Sequence, residues 1–308
     1  MGQPKRHHWW PMTQSRYWTD ADGLVRVTRA DGTAFRTNPL NIGVESELYT
    51  RFLEDDRKDT AIETWFAEAI DGPATRMIDH LLDSSNVTRH SFRGNPQKAV
   101  TVRALGFRVN PYFDKIAIPP AIRRAVSEYI AALLVRHPRY LSRLIDFHRT
   151  DGLSRQSIRN RALDNMLHLF KVYAERISTS VFIVTRRIGS AEYLYSDGGV
   201  NVEEPWHTGN VIPFDIHAPV TPDIALQVLP VPLELPDDLT VAVISESTNQ
   251  GVARQNRIAL GGAIRFVFSK QVIPGQFIRR NFGKPAPKNI GHRIVDGHFE
   301  AWYDPTRQ

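Results

Sequence analysis

Several residues with the chemistry needed for phosphoryl transfer stand at the ends of predicted elements. His8 precedes a proline in an H-x-x-P spacing, and its imidazole can exchange a proton near neutral pH. Arg136 ends a predicted helix, where its guanidinium can bind a phosphate. Asp197 follows a predicted strand, and loops at such positions often carry ligand-binding or catalytic groups. We therefore predict one pocket lined by His8, Arg136 and Asp197, with Glu45 and Ser196 nearby.

The same residues also have a plain structural interpretation. The His8 ring can be packed and hydrogen-bonded at the polar edge of a core. The sequence Ser-Asp-Gly-Gly at 196–199 is typical of a turn, in which the Asp197 carboxylate accepts hydrogen bonds from backbone amides. Convergence of the side chains in space would distinguish a shared pocket from two separate turns.

A possible metal site follows in the acidic part of the chain. Asp215 and His217 are two residues apart, so on a strand their side chains point to the same side. With Glu203, Glu204 and His207 they can hold a divalent cation, and carboxylates suit Mg²⁺ or Mn²⁺. This prediction rests on spacing alone.

Charge is divided between two consecutive segments of the chain. From Ile188 to Ala253 there are ten acidic residues and no lysine or arginine. From Ser247 to Arg293 there are nine basic residues and no aspartate or glutamate. Interleaved with these bases are Phe266, Phe268, Phe277 and Phe282.

This division predicts a nucleic-acid partner, either single-stranded nucleic acid or RNA. Basic side chains neutralise phosphates, while aromatic rings stack on unpaired bases. Alternatively, the phenylalanines are core residues and the two segments face each other as complementary surfaces. The predicted nucleic-acid contacts are Arg254, Arg257, Arg279, Arg280, Lys284 and Lys288.

Composition excludes several kinds of chemistry. The 308 residues include no cysteine, which excludes disulfides, thiolate metal sites and cysteine nucleophiles. The P-loop, G-x-S-x-G, H-E-x-x-H and G-x-G-x-x-G motifs are absent. No window approaches about 18 uninterrupted apolar residues, so we expect a cytoplasmic protein without a membrane partner. The net charge of +6 favours polyanionic partners.

The order of periodic segments predicts an α+β fold with a single domain over residues 1–308. An N-terminal β-hairpin precedes a helical part at about 59–177. A mostly antiparallel C-terminal sheet with a final helix follows at about 178–268. Its strands are expected at 181–184, 191–195, 211–214, 224–228 and 239–244. The hairpin is expected to join this sheet.

Finer predictions concern the opening stretch and the connections between elements. Trp9, Trp10 and Trp18 are expected to pack into the fold, because a disordered tail avoids large aromatic residues. Asp71-Gly72-Pro73 is expected to end a helix. Residues 83–97 are expected to form a loop, and residues 100–109 a strand or a connector. Residues 111–118 are expected to form a second connector.

Several short motifs resemble the bacterial domain-of-unknown-function 4238 family. The chain begins with H-x-x-P, an aromatic stretch and a hairpin, followed by an N-x-x-x-E-x-x-x-Y motif that ends at Tyr49. A helix ending in Arg-x-Pro at Arg136 and the Ser-Asp motif at 195–200 are similar to later motifs of that family. The resemblance covers roughly residues 8–269 and implies no settled activity.

Two functional classes fit these observations. The first is an enzyme acting on nucleic acid, a nuclease or phosphodiesterase of toxin or phage-defence type. That setting is a general expectation for bacterial proteins of unknown activity and does not come from the residues. The second is a non-catalytic nucleic-acid-binding or regulatory module. A hydrolase or transferase for a small phosphorylated molecule is a third class. A metal-dependence assay on RNA and DNA separates enzyme from module.

Overall fold

The computed structural model describes most of the chain, in eight segments. These are residues 6–53, 57–91, 112–149, 152–202, 216–229, 241–284, 290–295 and 298–303. Within them the predicted α+β fold is confirmed. N-terminal strands precede a mainly helical middle, and a second set of strands with late helices follows.

Eight α-helices are present in the described segments. They are α1 (Met12–Ser15), α2 (Ala61–Trp65), α3 (Gly72–Leu82), α4 (Pro120–Val135), α5 (Pro138–His148), α6 (Arg155–Ser178), α7 (Asn249–Gly262) and α8 (Gly275–Asn281). A π-helical segment (Phe66–Asp71) joins α2 to α3. Short 3₁₀ helices occupy Arg16–Trp18, Pro39–Asn41 and Ser84–Asn86.

The described strands form five sheets, of which two are larger than a two-stranded pair. The strands are β1 (Arg6–His8), β2 (Val25–Arg29), β3 (Ala34–Thr37), β4 (Val44–Ser46), β5 (Arg51–Phe52), β6 (Lys58–Asp59), β7 (Val87–Ser91), β8 (Tyr112–Ala117), β9 (Val181–Arg187), β10 (Tyr195–Ser196), β11 (Asn201–Val202), β12 (Ile216–Pro219), β13 (Ile224–Leu229), β14 (Val241–Ser247), β15 (Phe266–Ser269), β16 (Ile290–Val295) and β17 (His298–Tyr303).

The larger sheet has seven strands in the order β11-β12-β13-β9-β14-β8-β7. Neighbouring strands are antiparallel except β9 and β14, which run parallel. Residues 182–185 of the central strand β9 are all buried, so both faces of the sheet are covered there. The prediction of a mostly antiparallel sheet is confirmed.

Two strands of this sheet correct the sequence-based predictions. The expected loop at 83–97 contains β7, and the expected connector at 111–118 contains β8. β8 pairs with β14, far along the chain, so no local pattern reveals its partner. The segments expected at 100–109 and 211–214 lie outside the described residues.

The smaller sheet has four antiparallel strands in the order β10-β15-β2-β3. It joins the N-terminal hairpin to β10 and β15 of the C-terminal part, whereas the hairpin was expected to join the sheet that contains β9, β13 and β14. Only Tyr195 of the strand expected at 191–195 belongs to a strand. The amides of Ala191 and Leu194 instead bond the side chains of Asn249 and Asn256, which act in place of a neighbouring strand.

The opening stretch is part of the core. Trp10 and Trp18 are fully buried and Trp9 is 8% exposed, which confirms the prediction that these rings pack into the fold. The Trp10 ring is stacked on Tyr195 and Phe268, at centroid distances of 4.5 and 4.7 Å. These contacts attach the N-terminal stretch to the four-stranded sheet.

The helix expected to end at Asp71-Gly72-Pro73 instead continues, so that prediction is wrong. α2, the π-helical segment and α3 follow one another without interruption from Ala61 to Leu82. A proline inside an α-helix clashes with the carbonyl four residues earlier. The wider π turn that precedes Pro73 accommodates its ring.

The helices of the middle part begin as their sequences predict. Pro120 occupies the first turn of α4, where a missing amide proton costs nothing. The Ser154 hydroxyl accepts a hydrogen bond from the Ser157 amide at 3.1 Å and caps α6. α4 packs along α6 through buried residues such as Ile130 and Leu163. Within the described segments, no helix combines the length and apolar character needed to cross a membrane.

Candidate functional site

The structure brings three of the predicted chain positions to one junction. Arg136 Nη2 donates a hydrogen bond to the main-chain carbonyl of His8. The Trp9 ring meets the His137 ring edge-on, with centroids 4.8 Å apart. His137 Nε2 donates to the main-chain carbonyl of Asp197 at 2.7 Å. The side chains of Arg136 and His137 therefore connect the main chain at His8 to the main chain at Asp197, but the side chains of His8, Arg136 and Asp197 make different contacts.

The Arg136 guanidinium faces the protein interior and is 1% exposed. Its Nη1 donates to Asp71 Oδ1 at 2.8 Å, and its Cζ lies 4.6 Å from the centroid of the Phe66 ring. Its carbonyl accepts a hydrogen bond from the Tyr49 hydroxyl. Arg136 thus binds protein groups, and these contacts hold its charge away from a phosphate at the surface.

Sequence analysis did not identify Glu63 and Asp71, whose carboxyl groups lie beside Arg136. Residues eight apart in an α-helix differ by about 80° around the axis, at about 100° per residue. A π turn absorbs one extra residue, so Glu63 and Asp71 lie about 20° apart, as residues seven apart do in an α-helix. Both carboxyls consequently share one face and act electrostatically on Arg136.

Burial perturbs the titration of the groups around Arg136. It raises the pKa of the Glu63 and Asp71 carboxyls, and the Arg136 charge opposes this shift without reversing it. Burial, followed by the charge of Arg136, lowers the pKa of His8. In the described residues, His8 Nδ1 and Glu63 Oε2 are buried without a hydrogen-bond partner. Perturbed groups of this kind occur at functional sites and in structural ion-pair networks alike.

The Asp197 carboxylate holds backbone amides at the end of α7. Its Oδ1 accepts from the amides of Ile264 and Arg265 at 2.7 and 3.0 Å, and its Oδ2 accepts from Arg265 at 2.8 Å. Ser196 Oγ accepts from the Gly198 amide at 3.3 Å. Both side chains are buried, so this geometry corresponds to the turn interpretation of the Ser-Asp-Gly-Gly sequence.

The two glycines after Asp197 permit close approach of three segments. A Cβ at Gly198 would overlap the carbonyl of Gly262 at the end of α7. Gly199 has a φ of 77°, and a Cβ there would lie 2.8 Å from Cδ2 of His137. The predicted strand end is therefore a crowded contact between α5, α7 and β10.

His137 joins these segments only in its neutral form, which makes the fold sensitive to acid. Its Nδ1 accepts from the Arg139 amide at 3.1 Å while Nε2 donates to the Asp197 carbonyl. Burial lowers the pKa of His137 from its ordinary value of 6.5. Below pH 6.5 this residue therefore binds more protons in the unfolded chain than in the folded protein, and the contribution of His137 to stability falls with decreasing pH.

We expect urea denaturation to show that lowering the pH from 7 to 5 reduces the free energy of unfolding more in wild type than in the His137→Asn variant. Asparagine caps a helix but does not titrate in this range. The pKa of His8 is also lowered, so some dependence will remain. Replacement of the exposed His168 by asparagine is the matched control. Parallel pH profiles for wild type and His137→Asn would contradict this assignment.

Of the remaining predicted site residues, Glu45 lies on the strand that pairs with the strand of His8, and the others lie apart from this junction or outside the described segments. Glu45 is exposed on β4, opposite His7 of β1. His217 is half-buried on β12. The other predicted metal ligands lie outside the described segments, namely Glu203, Glu204, His207 and Asp215. Within those segments, no group of three or more histidine, aspartate and glutamate side chains could hold a metal ion.

Two acids of the acidic segment bind the backbone of the basic segment. Glu192 Oε1 accepts from the amides of Lys270 and Gln271 at 2.9 and 2.7 Å, just after β15. Asp197 accepts from the amides just before β15. The two segments therefore contact each other, and these two carboxylates bond mainly main-chain amides; Asp197 also lies 3.9 Å from the Arg265 Nε.

The basic side chains of the segment are mainly exposed. Arg254 of α7 is half-buried, and Lys288 lies outside the described residues. Arg279 Nη1 donates to the carbonyl of Asp31, at the turn between β2 and β3, at 3.2 Å. The exposed basic residues are Arg257, Arg265, Lys270, Arg279, Arg280 and Lys284.

The phenylalanines of the segment are divided between core and surface. Phe268 is buried against Trp10. Phe277 and Phe282 pack on the small apolar cluster around Leu260. The core interpretation therefore describes these three rings, and it describes Phe266 in part, because Phe266 packs on the edge of the main apolar core. Phe266 is half-buried, with Arg265 Cζ 5.3 Å from its centroid.

Phe266 belongs to an arrangement that we call the arginine–phenylalanine stack, formed by Arg29, Phe35, Phe266 and Arg265. The rings of Phe35 and Phe266 meet edge-on at 6.2 Å, and Arg29 Cζ lies 5.0 Å from the Phe35 centroid. Sequence reasoning misses Arg29 and Phe35 because only the pairing of β2 with β15 brings them to the basic segment.

Comparison with protein-family models, with curated proteins and with solved structures returns no match for this chain. The resemblance to the domain-of-unknown-function 4238 family therefore stays a prediction.

Proposed function

We propose that the protein is a nucleic-acid-binding module whose contact surface includes the basic segment from α7 to Lys284. The observation that carries this proposal is the concentration of exposed cations: six basic side chains between residues 247 and 284 are exposed, and no acidic residue interrupts them. Clustered lysine and arginine neutralise phosphates and release counterions, which makes binding favourable and dependent on salt.

Binding is favoured over cleavage because two predicted catalytic groups are engaged in the fold. The Asp197 carboxylate accepts backbone amides, and the Arg136 guanidinium is buried against Asp71. The cluster of His8, Glu63 and Arg136 supports the enzymatic alternative, since it contains carboxyl and imidazole groups with perturbed pKa values. The nuclease of toxin or phage-defence type therefore stays the second candidate.

The proposal predicts that binding of a fluorescein-labelled 20-nucleotide RNA weakens steeply with salt, measured by anisotropy between 50 and 200 mM NaCl. A triple variant of Arg279→Ala, Arg280→Ala and Lys284→Ala should bind less tightly. The slope of log affinity against log salt should be less steep by about 2, because each lost phosphate contact contributes about 0.7 for a single strand. All three side chains are exposed, so the melting temperature should stay unchanged.

A matched control removes three positive charges from α6 instead of the basic segment. It combines three substitutions at exposed positions, Arg155→Ala, Arg161→Ala and Lys171→Ala. Equal weakening by both triple variants would indicate a general charge effect instead of a site. Salt-insensitive binding, or none at 50 mM NaCl, would refute the proposal. Degradation of the RNA with Mg²⁺ or Mn²⁺, abolished by Glu63→Gln, would support the enzymatic alternative.

A further inference from the structure

We propose that the arginine–phenylalanine stack is a base-stacking site, which makes the protein selective for single-stranded nucleic acid over duplex. The inference rests on the nucleic-acid binding proposed above and adds the class of strand. It assigns a contact to the N-terminal hairpin, which carries two of the four side chains of the stack.

The register of the four-stranded sheet places these side chains on one face. Phe266 lies directly opposite Arg29, and Phe35 lies directly opposite Val27. Arg29 and Val27 are two residues apart on β2 and point to the same side. Phe35 is thus diagonal to Arg29, within reach of long and aromatic side chains. Three adjacent strands present two rings and a guanidinium side by side, and Arg265 adds a second guanidinium.

One end of this face is core and the other is open to solvent. Val27 and Phe268 are buried beneath Trp10. By contrast, Phe35 is 39% exposed, and the Arg265 side chain is 76% exposed. Phe35, which has Arg29 over its ring, is partly exposed and retains surface for a partner. Val27 and Phe268, further along the same sheet face, are buried and have none.

The chemistry of the stack suits an unpaired base. Rings and guanidinium planes both stack on bases, and the guanidinium charge also attracts the adjacent phosphate. Bases in a duplex are already stacked on each other and are not available to such a platform. The Asp197 carboxylate lies 3.9 Å from the Arg265 Nε, which orients this guanidinium beside the ring.

Basic side chains lie beside the stack, where they can contact the phosphate backbone of a bound nucleic acid. Arg279 of α8 reaches the hairpin turn that follows Arg29, where it donates to the Asp31 carbonyl. Arg280 follows on the same exposed helix end. A single nucleic-acid strand would thus place its bases on the arginine–phenylalanine stack and its phosphates near α8.

The test compares a labelled oligouridylate of 20 nucleotides with an RNA duplex of the same length, both measured by anisotropy. Wild type should bind the single strand more tightly. Phe35→Leu, which keeps apolar bulk on the edge strand, should weaken single-strand binding about tenfold, as expected for the loss of one stacked base. Duplex binding should stay unchanged. The matched control is Phe147→Leu, which removes a 71% exposed ring from α5.

A second variant tests whether the weaker binding of Phe35→Leu results from a folding defect. Arg29→Lys keeps the charge and removes the planar guanidinium, so it should weaken single-strand binding without changing the salt slope. Equal binding of both RNA forms by wild type, with steep salt dependence, would overturn the stacking inference and leave the proposed function standing. Heparin has charge but no bases. If heparin displaced the labelled oligouridylate as effectively as unlabelled oligouridylate does, that result would overturn the inference too. Absence of binding to either RNA would refute both.

Discussion

The Trp10→Ala variant will lose about 3–5 kcal/mol of its free energy of unfolding, the usual cost of truncating a large buried aromatic residue. Trp10 is completely buried, with its ring stacked on Tyr195 and Phe268. Its Nε1 donates to Gln14 Oε1 at 3.0 Å, and Gln14 Nε2 donates in turn to the Pro219 carbonyl at 2.6 Å. The variant loses the ring contacts and leaves Gln14 Oε1 without this donor.

Urea denaturation followed by far-ultraviolet circular dichroism measures this loss, with Phe147→Ala as the control. Phe147 is 71% exposed, so its truncation should change stability by less than about 0.5 kcal/mol. A domain of ordinary stability has only about 5–15 kcal/mol in total, so Trp10→Ala will be partly unfolded at 37 °C if the protein lies at the low end. A cost below about 1 kcal/mol would show that the opening stretch contributes little to the core.

The Asp71→Asn variant will lose about 3 kcal/mol, because it leaves the Arg136 guanidinium buried without its ion-pair partner. Arginine stays charged at all ordinary pH values and cannot relieve the penalty by losing its proton. The Glu63 carboxyl also acts on Arg136 and keeps the expected loss at the lower end of the usual range of about 3–5 kcal/mol.

The reciprocal variant, Arg136→Met, will respond differently to pH. The remaining Asp71 carboxyl is buried, which raises its pKa from the ordinary value of 3.8, so it can bind a proton and become neutral. Between pH 3.8 and that raised pKa the folded variant binds more protons than the unfolded chain, so its stability will increase as the pH falls. Asp71→Asn lacks this contribution.

A double-mutant cycle with Asp71→Leu and Arg136→Met measures the coupling between the two side chains. The double variant should lose less stability than the sum of the single variants, because it buries no unpaired charge. The matched control is Glu63→Gln, because Glu63 makes a longer contact, with Oε1 3.4 Å from the His8 amide nitrogen. Additive losses across the Asp71–Arg136 cycle would show that the pair does not act as a unit.

The sequence by itself determined the longer helices and the N-terminal hairpin, because local physics decides them. A proline pair starts α4, a serine caps α6, and Asp31-Gly32 turns the hairpin between β2 and β3. Burial of the N-terminal tryptophans also followed from sequence, because large rings are unfavourable in water. These signals need only near neighbours along the chain.

The local sequence did not predict that the helix continues through Pro73. The order Asp-Gly-Pro is typical of a helix end, yet a π turn carries the chain past it. That turn also places Glu63 and Asp71 on one face beside Arg136. Buried contacts with the rest of the fold stabilise the irregular turn, and local propensity does not include them.

Only the tertiary structure decided what each candidate site residue does. Asp197 and Arg136 have the same chemistry in a pocket or in a core, and their roles depend on partners from distant segments. Pairing of β15 with β2 brought Arg29 and Phe35 to the basic segment, and pairing of β8 with β14 made a strand of an expected connector. Strand pairing, burial and pKa shifts all depend on contacts between segments far apart in sequence, and no local pattern specifies them.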